Sequence, residues 1–113
     1  LLKSKGIISM KVVFHIDELE KWSETGKNVK NLIKASPETT IVVSVNGIAI
    51  TGYLDSANAE FLDLQGVVFH ACANAMRANH ISESSLPEQV IVVPAGVLDL
   101  VELQSQGYAY IKP

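Results

Sequence analysis

Five short apolar runs constrain this chain more than any other feature: Val12-Val13-Phe14, Thr40 to Val45 (T-I-V-V-S-V), Val67-Val68-Phe69, Gln89 to Val93 (Q-V-I-V-V) and Tyr108 to Ile111. In the first four the apolar residues are mostly contiguous and rich in β-branched side chains, the pattern of strands covered on both faces. Segments with helical spacing lie between them. Strands alternating with helices across short connections predict an α/β domain of three layers, α/β/α, around a mainly parallel five-stranded sheet.

The element boundaries follow from local chemistry. Lys11 to Ile16 reads as a strand closing at His15, and Asp17 to Lys21 as an acidic connector. A helix led by Trp22 carries Val29, Leu32 and Ile33 on one face; Gly26 weakens its start and Pro37 follows its last turn. Asn46-Gly47 stops the second strand. Ile48 to Leu54 reads as one or two helical turns interrupted near Gly52, and Ala57 to Leu64 as a helix closed by Gly66. The third strand is expected to stop at about His70, which puts Cys72 in the first turn of a helix ending at Ala78. Ile81 to Pro87 is a surface loop. Pro94-Ala95-Gly96 breaks the fourth strand before a helix whose apolar face is Val97, Leu98, Leu100, Val101 and Leu103.

At 113 residues the chain makes one domain. A hydrophobic fraction of 48% against 19% charged implies that part of the exterior is covered by other copies, so a homo-oligomer is expected. The net charge of −3 argues against nucleic acid and a membrane surface as partners. A single cysteine excludes an internal disulfide and fits a reducing, cytoplasmic compartment. Residues 1–9 (L-L-K-S-K-G-I-I-S) are broken by Lys3, Lys5 and Gly6; they lack a signal-peptide core and read as an N-terminal extension, native or added in cloning, to a domain from Met10 to Pro113.

In open parallel sheets the ligand crevice lies at the carboxyl ends of the strands. Here those ends are His15, Asn46-Gly47, His70 to Cys72 and Pro94 to Gly96. Cys72 is the candidate nucleophile, because a helix N-terminus stabilises a thiolate by roughly 0.3–1 kcal/mol. That is partial activation, and a cationic neighbour would add to it. His70, two residues before, and Arg77 are the candidates. The bland alternative is a buried, inert cysteine. His15 is either an acid–base group at the rim or a hydrogen-bonded structural side chain, and His80 is placed to satisfy helix carbonyls. Asn74 and Arg77 share a helix face fit for an anion or a subunit contact; Tyr108 and Tyr110 share a face of the last strand. Neither C-x-x-C nor H-x-x-x-H spacing occurs, and no G-x-G-x-x-G or P-loop, so neither metal nor cofactor is expected.

The run G-V-V-F-H-A-C-A-N-A-M-R from Gly66 to Arg77, and V-V-P-A-G-V-L-D-L-V-E-L-Q-S-Q-G-Y-A-Y-I-K-P from Val92 to Pro113, resemble the cysteine turn and the closing helix and strand of the DsrE/DsrF-like family. The resemblance spans Met10 to Pro113. It implies a small α/β protein of sulfur relay, a trimer or hexamer, carrying sulfur as a persulfide on Cys72 between donor and acceptor proteins in a sulfurtransferase-like role. His70, Asn74, His15 and Asn46 would support the cysteine. Two positions depart from the pattern: Ala73 stands where a Gly after the cysteine is usual, and Asn46 where a His before the glycine is common in close relatives. Two functional classes stay open, a sulfur carrier and a non-catalytic ligand- or partner-binding module whose cysteine merely packs.

Overall fold

The protein, described here over residues 9–113 by a computed structural model, places β1 (Lys11–Ile16), β2 (Thr40–Val45), β3 (Val67–Cys72), β4 (Val90–Val93) and β5 (Ala109–Ile111) in one sheet. Apart from Ser9, the segment read as an extension lies outside the described residues. Every pairing is parallel, in the spatial order β4-β3-β2-β1-β5.

That order explains the layers. From β1 to β4 the chain steps across the sheet in one direction, and right-handed crossovers then put α1 (Lys21–Ala35), α2 (Ala59–Leu62) and α3 (Ala73–Ala78) on one face. The last connection runs back over the sheet to β5, so α4 (Gly96–Ser105) takes the opposite face. The strand side chains divide accordingly. Phe14, Ile16, Val43, Val45, Phe69 and Ala71 pack with Trp22, Val29, Ile50, Tyr53, Phe61 and Met76 in the larger core. On the other side Val13 and Val42 form a smaller apolar cluster with Leu100, Leu103 and Tyr108.

Three of the expected elements change. Gly47–Leu54 is a continuous 3-10 helix rather than turns broken near Gly52, and the glycine is there because Trp22 packs directly on it: a Cβ would lie 2.1 Å from Trp22 Nε1. The helix expected over Ala57 to Leu64 is a 3-10 turn at Ser56–Asn58 followed by the short α2. Asp55 caps that turn, accepting from the Ala57 N–H at 2.9 Å. Third, β3 does not stop at His70. It runs on to Cys72, which keeps extended backbone (φ −73°, ψ 118°), pairs with Val93 and serves as the N-cap of α3 instead of lying inside its first turn.

His80 caps the far end of α3 differently from expectation. It adopts the left-handed conformation (φ 58°) with His80 N–H donating to the Arg77 carbonyl and Ile81 N–H to that of Met76 at 2.9 Å. This is a Schellman closure made by backbone, in the position glycine usually takes. At the chain's end Lys112 Nζ lies 2.9 Å from Asp17 Oδ1, tying the segment after β5 to the end of β1. Chiefly through that hydrogen bond, the Asp17 carboxyl is held below its ordinary range. No described helix is long and apolar enough to cross a membrane.

Candidate functional site

Because β3 stays extended through Cys72, side chains 70 and 72 leave the same face of the sheet, the one α4 covers. The sulfur receives two backbone N–H groups there. Gly96, the first residue of α4, donates to Sγ at 3.2 Å, and Ala75 in α3 donates at 3.4 Å. Cys72 therefore caps its own helix and also takes the free first N–H of another. Both donors are backbone groups, so their aim at the sulfur is set by the starts of the two helices. The side chain is only 6% exposed.

Gly96 can approach so closely because it lacks a side chain. A Cβ there would fall 2.8 Å from Asn46 Nδ2, so the Asn46 amide fills the space beside the start of α4. Asn46 is held in turn: its Oδ1 lies 2.9 Å from His15 Nε2, and His15 Nδ1 lies 2.7 Å from the Tyr110 hydroxyl. With Oδ1 accepting, Nε2 is the donor of that bond, and the Tyr110 hydroxyl pairs with Nδ1. The return of β5 beside β1 creates this chain of contacts.

His70 belongs to a second group. Its Nδ1 is 2.9 Å from both carboxylate oxygens of Asp99, and Ser44 Oγ donates to Asp99 Oδ2 at 2.8 Å. Asp99 and Ser44 are buried and paired, and among the described residues no buried side-chain nitrogen or oxygen lacks a partner. On the other face of β3, Tyr53 donates its hydroxyl to the His70 carbonyl at 2.7 Å. Burial, and secondarily the Asp99 carboxylate, pushes that phenol well above its ordinary range, so it remains a neutral donor.

Of the residues expected to support the cysteine, Asn46 and His15 reach it through Gly96, and His70 joins the same helix through Asp99. Asn74 is different, since its amide oxygen accepts from the Arg77 guanidinium in an exposed pair on α3. Sequence reasoning put Gly96 on this rim without its N–H reaching the sulfur, and missed Asp99 and Ser44. An open depression of about 540 Å³ on the β4 edge, walled by Ala73, Pro94, Val92, Leu86 and Glu83, borders the cysteine turn without including Cys72. No group of three His, Cys, Asp or Glu gathers among the described residues in a way that would hold a metal ion.

Comparison with known proteins places these features. The model of the DsrE/DsrF-like family matches residues 7–113. A solved structure of MTH1491 from Methanobacterium thermoautotrophicum, described as a protein of unknown function, superposes with a TM-score of 0.84 at 34% identity, covering 93% of this chain and all of that one. The ychN protein from E. coli shares the fold, with a TM-score of 0.75 at 13% identity over 94% of this chain and all of its own. Among curated proteins no match is found.

Proposed function

The chain belongs to the DsrE/DsrF-like family, and on that premise we propose that it is a sulfur-relay protein that carries sulfane sulfur as a persulfide on Cys72 and hands it to a partner protein. The observation that carries the reading is the pair of N–H groups, from Gly96 and Ala75, directed at Sγ. They stabilise the thiolate that attacks and the persulfide anion that results. In the transfer the thiolate attacks the outer sulfur of a donor persulfide, a new S–S bond forms at Cys72, and the donor's S–S bond breaks to release a thiolate that is then protonated. Because the sequence holds one cysteine, no second thiol in the chain can resolve the product, so the sulfur leaves to a thiol of another protein or subunit. A lone thiol that must stay reduced suits the cytoplasm.

The test is intact-mass spectrometry after incubation with a small-molecule persulfide donor. Wild type is expected to gain one reducible sulfur atom and Cys72→Ser none. The 6% exposure of Cys72 favours a second reading, a binding module with an inert cysteine. If the sulfur takes up nothing from the donor and also resists alkylation in the folded protein from neutral to mildly alkaline pH, that second reading replaces the first.

We also propose that the partner over α4 is a second copy of the chain, in a trimer or a multiple of one. Val97 and Val101 stand 72% and 58% exposed on the helix that, among the described residues, covers this face of the sheet. Light scattering at micromolar concentration should give the oligomer, and Val101→Asp should shift it toward monomer. A wild-type monomer ends the proposal.

A further inference from the structure

Asp99 sits between Leu98 and Leu100 in the first turn of a helix whose inward side is otherwise apolar, yet it is 5% exposed. A buried carboxylate is costly unless hydrogen-bonded, and this one accepts from Ser44 Oγ at 2.8 Å and from His70 Nδ1 at 2.9 Å. A carboxylate only accepts, so the proton on the neutral His70 ring resides at Nδ1 and the lone pair at Nε2. Among the described residues Nε2 has no hydrogen-bond partner, and it is not sealed from solvent, because no buried side-chain nitrogen is left unsatisfied. The ring as a whole is 15% exposed.

The same helix therefore fixes two things at once: Gly96 N–H holds the sulfur, and three residues on Asp99 holds the imidazole. His70 and Cys72 are two positions apart on one face of β3, which separates them by roughly 6.6 Å along the strand. Among the described residues no hydrogen bond joins the two side chains.

We infer that Asp99, with Ser44 behind it, is a positioning residue that locks His70 as the Nδ1–H tautomer, so that Nε2 shuttles a proton during sulfur transfer; the inference rests on the sulfur-relay reading. In the step the Cys72 thiol proton passes to Nε2 through solvent at the rim, and the Cys72 thiolate attacks the outer sulfur of the donor persulfide. The donor's inner sulfur leaves as a thiolate and takes the proton from Nε2. One sulfur atom moves from donor to Cys72, one S–S bond breaks as another forms, and no oxidant or reductant enters.

Two measurements test it. Long-range ¹H–¹⁵N correlation spectra of wild type, at a pH where the ring is neutral, should show His70 protonated at Nδ1. Quenched-flow loading with a small persulfide, read by intact mass, should show Asp99→Asn slowed roughly 10- to 100-fold with the same end point, since general acid–base groups contribute about 10²–10⁴ and solvent replaces part of the shuttle. Asp99→Asn should add no slowing to His70→Gln, whereas a merely structural Asp99 would slow both backgrounds alike. Wild type that takes up no sulfur overturns the relay reading and this inference with it. Wild type that loads, together with either His70 protonated at Nε2 or Asp99→Asn loading at the wild-type rate, overturns the inference alone. The spectroscopic arm stands even where Asp99→Asn does not fold.

Discussion

Gly52→Ala is expected to lower the unfolding free energy by roughly 3–5 kcal/mol, because an overpacking clash and a lost buried hydrogen bond fall on the same side chain. The added methyl would lie 2.1, 2.4 and 2.7 Å from Nε1, Cε2 and Cδ1 of Trp22, distances that no rotation of the new group relieves. Trp22 is 3% exposed, and its Nε1–H donates to the Ala49 carbonyl at 2.9 Å. Edge-to-face contacts with Tyr53 and Phe61, at centroid separations of 5.1 and 6.2 Å, fix the indole from two further directions. The ring must therefore leave its site or the 3-10 helix must lift from it. Against a total stability of about 5–15 kcal/mol, either outcome makes the domain marginal. Urea unfolding followed by circular dichroism measures the loss, and in a Trp22→Leu background the same substitution should cost under about 1 kcal/mol because the obstructing ring is gone. A loss below about 1 kcal/mol in the wild-type background would show that the indole is not confined as described.

The sheet was legible in the sequence because its strands are contiguous β-branched runs, a signal that survives without knowing what packs on them. Gly47 to Leu54 was not. Its I-A-I-T-G-Y-L is apolar around its circumference, with no period to separate one helix type from another, and its contacts with Trp22 at Gly52 and Ala49 come from outside the segment. The end of β3 was misplaced for a related reason. Alanine-rich sequence after His70 favours helix, but pairing of Ala71 with Val92 and Cys72 with Val93 outweighs local propensity.

The candidate site divides along the same line. Cys72, His70, His15 and Asn46 could be found because they lie at or near the carboxyl ends of strands, and parallel sheets gather their functional groups there. Asp99 looked like an ordinary polar interruption of an amphipathic helix, and Ser44 like a small residue inside a strand. Their roles depend on α4 crossing to the opposite face of the sheet from the other helices, a consequence of strand order that sequence does not contain. The pairing of Tyr110 with His15 depends on it too, since it requires β5 to lie beside β1.

Gly96→Ala puts this geometry to its hardest test, because two effects of opposite sign compete. In a helix Ala is favoured over Gly by up to about 1 kcal/mol, so propensity alone predicts a small gain. The new methyl, however, would lie 2.8 Å from Asn46 Nδ2, 3.0 Å from its Cβ and 3.3 Å from its Cγ. Asn46 has little freedom to yield while its other amide atom is held by His15 at 2.9 Å and His15 by Tyr110 at 2.7 Å. Overpacking costs about 1–3 kcal/mol, which exceeds the propensity gain, so a net loss of roughly 1–2 kcal/mol is expected. If α4 yields instead of Asn46, the Gly96 N–H moves off the sulfur it now meets at 3.2 Å. Weakening that contact by about 1.4 kcal/mol in the transition state would slow sulfur uptake at Cys72 roughly tenfold. Asn46→Ala in the same chain should restore most of the rate, because it empties the space the methyl needs. A Gly96→Ala protein with wild-type stability and wild-type uptake would show that Asn46 moves freely, and that the contacts from Tyr110 through His15 to the start of α4 do not hold the sulfur site in place.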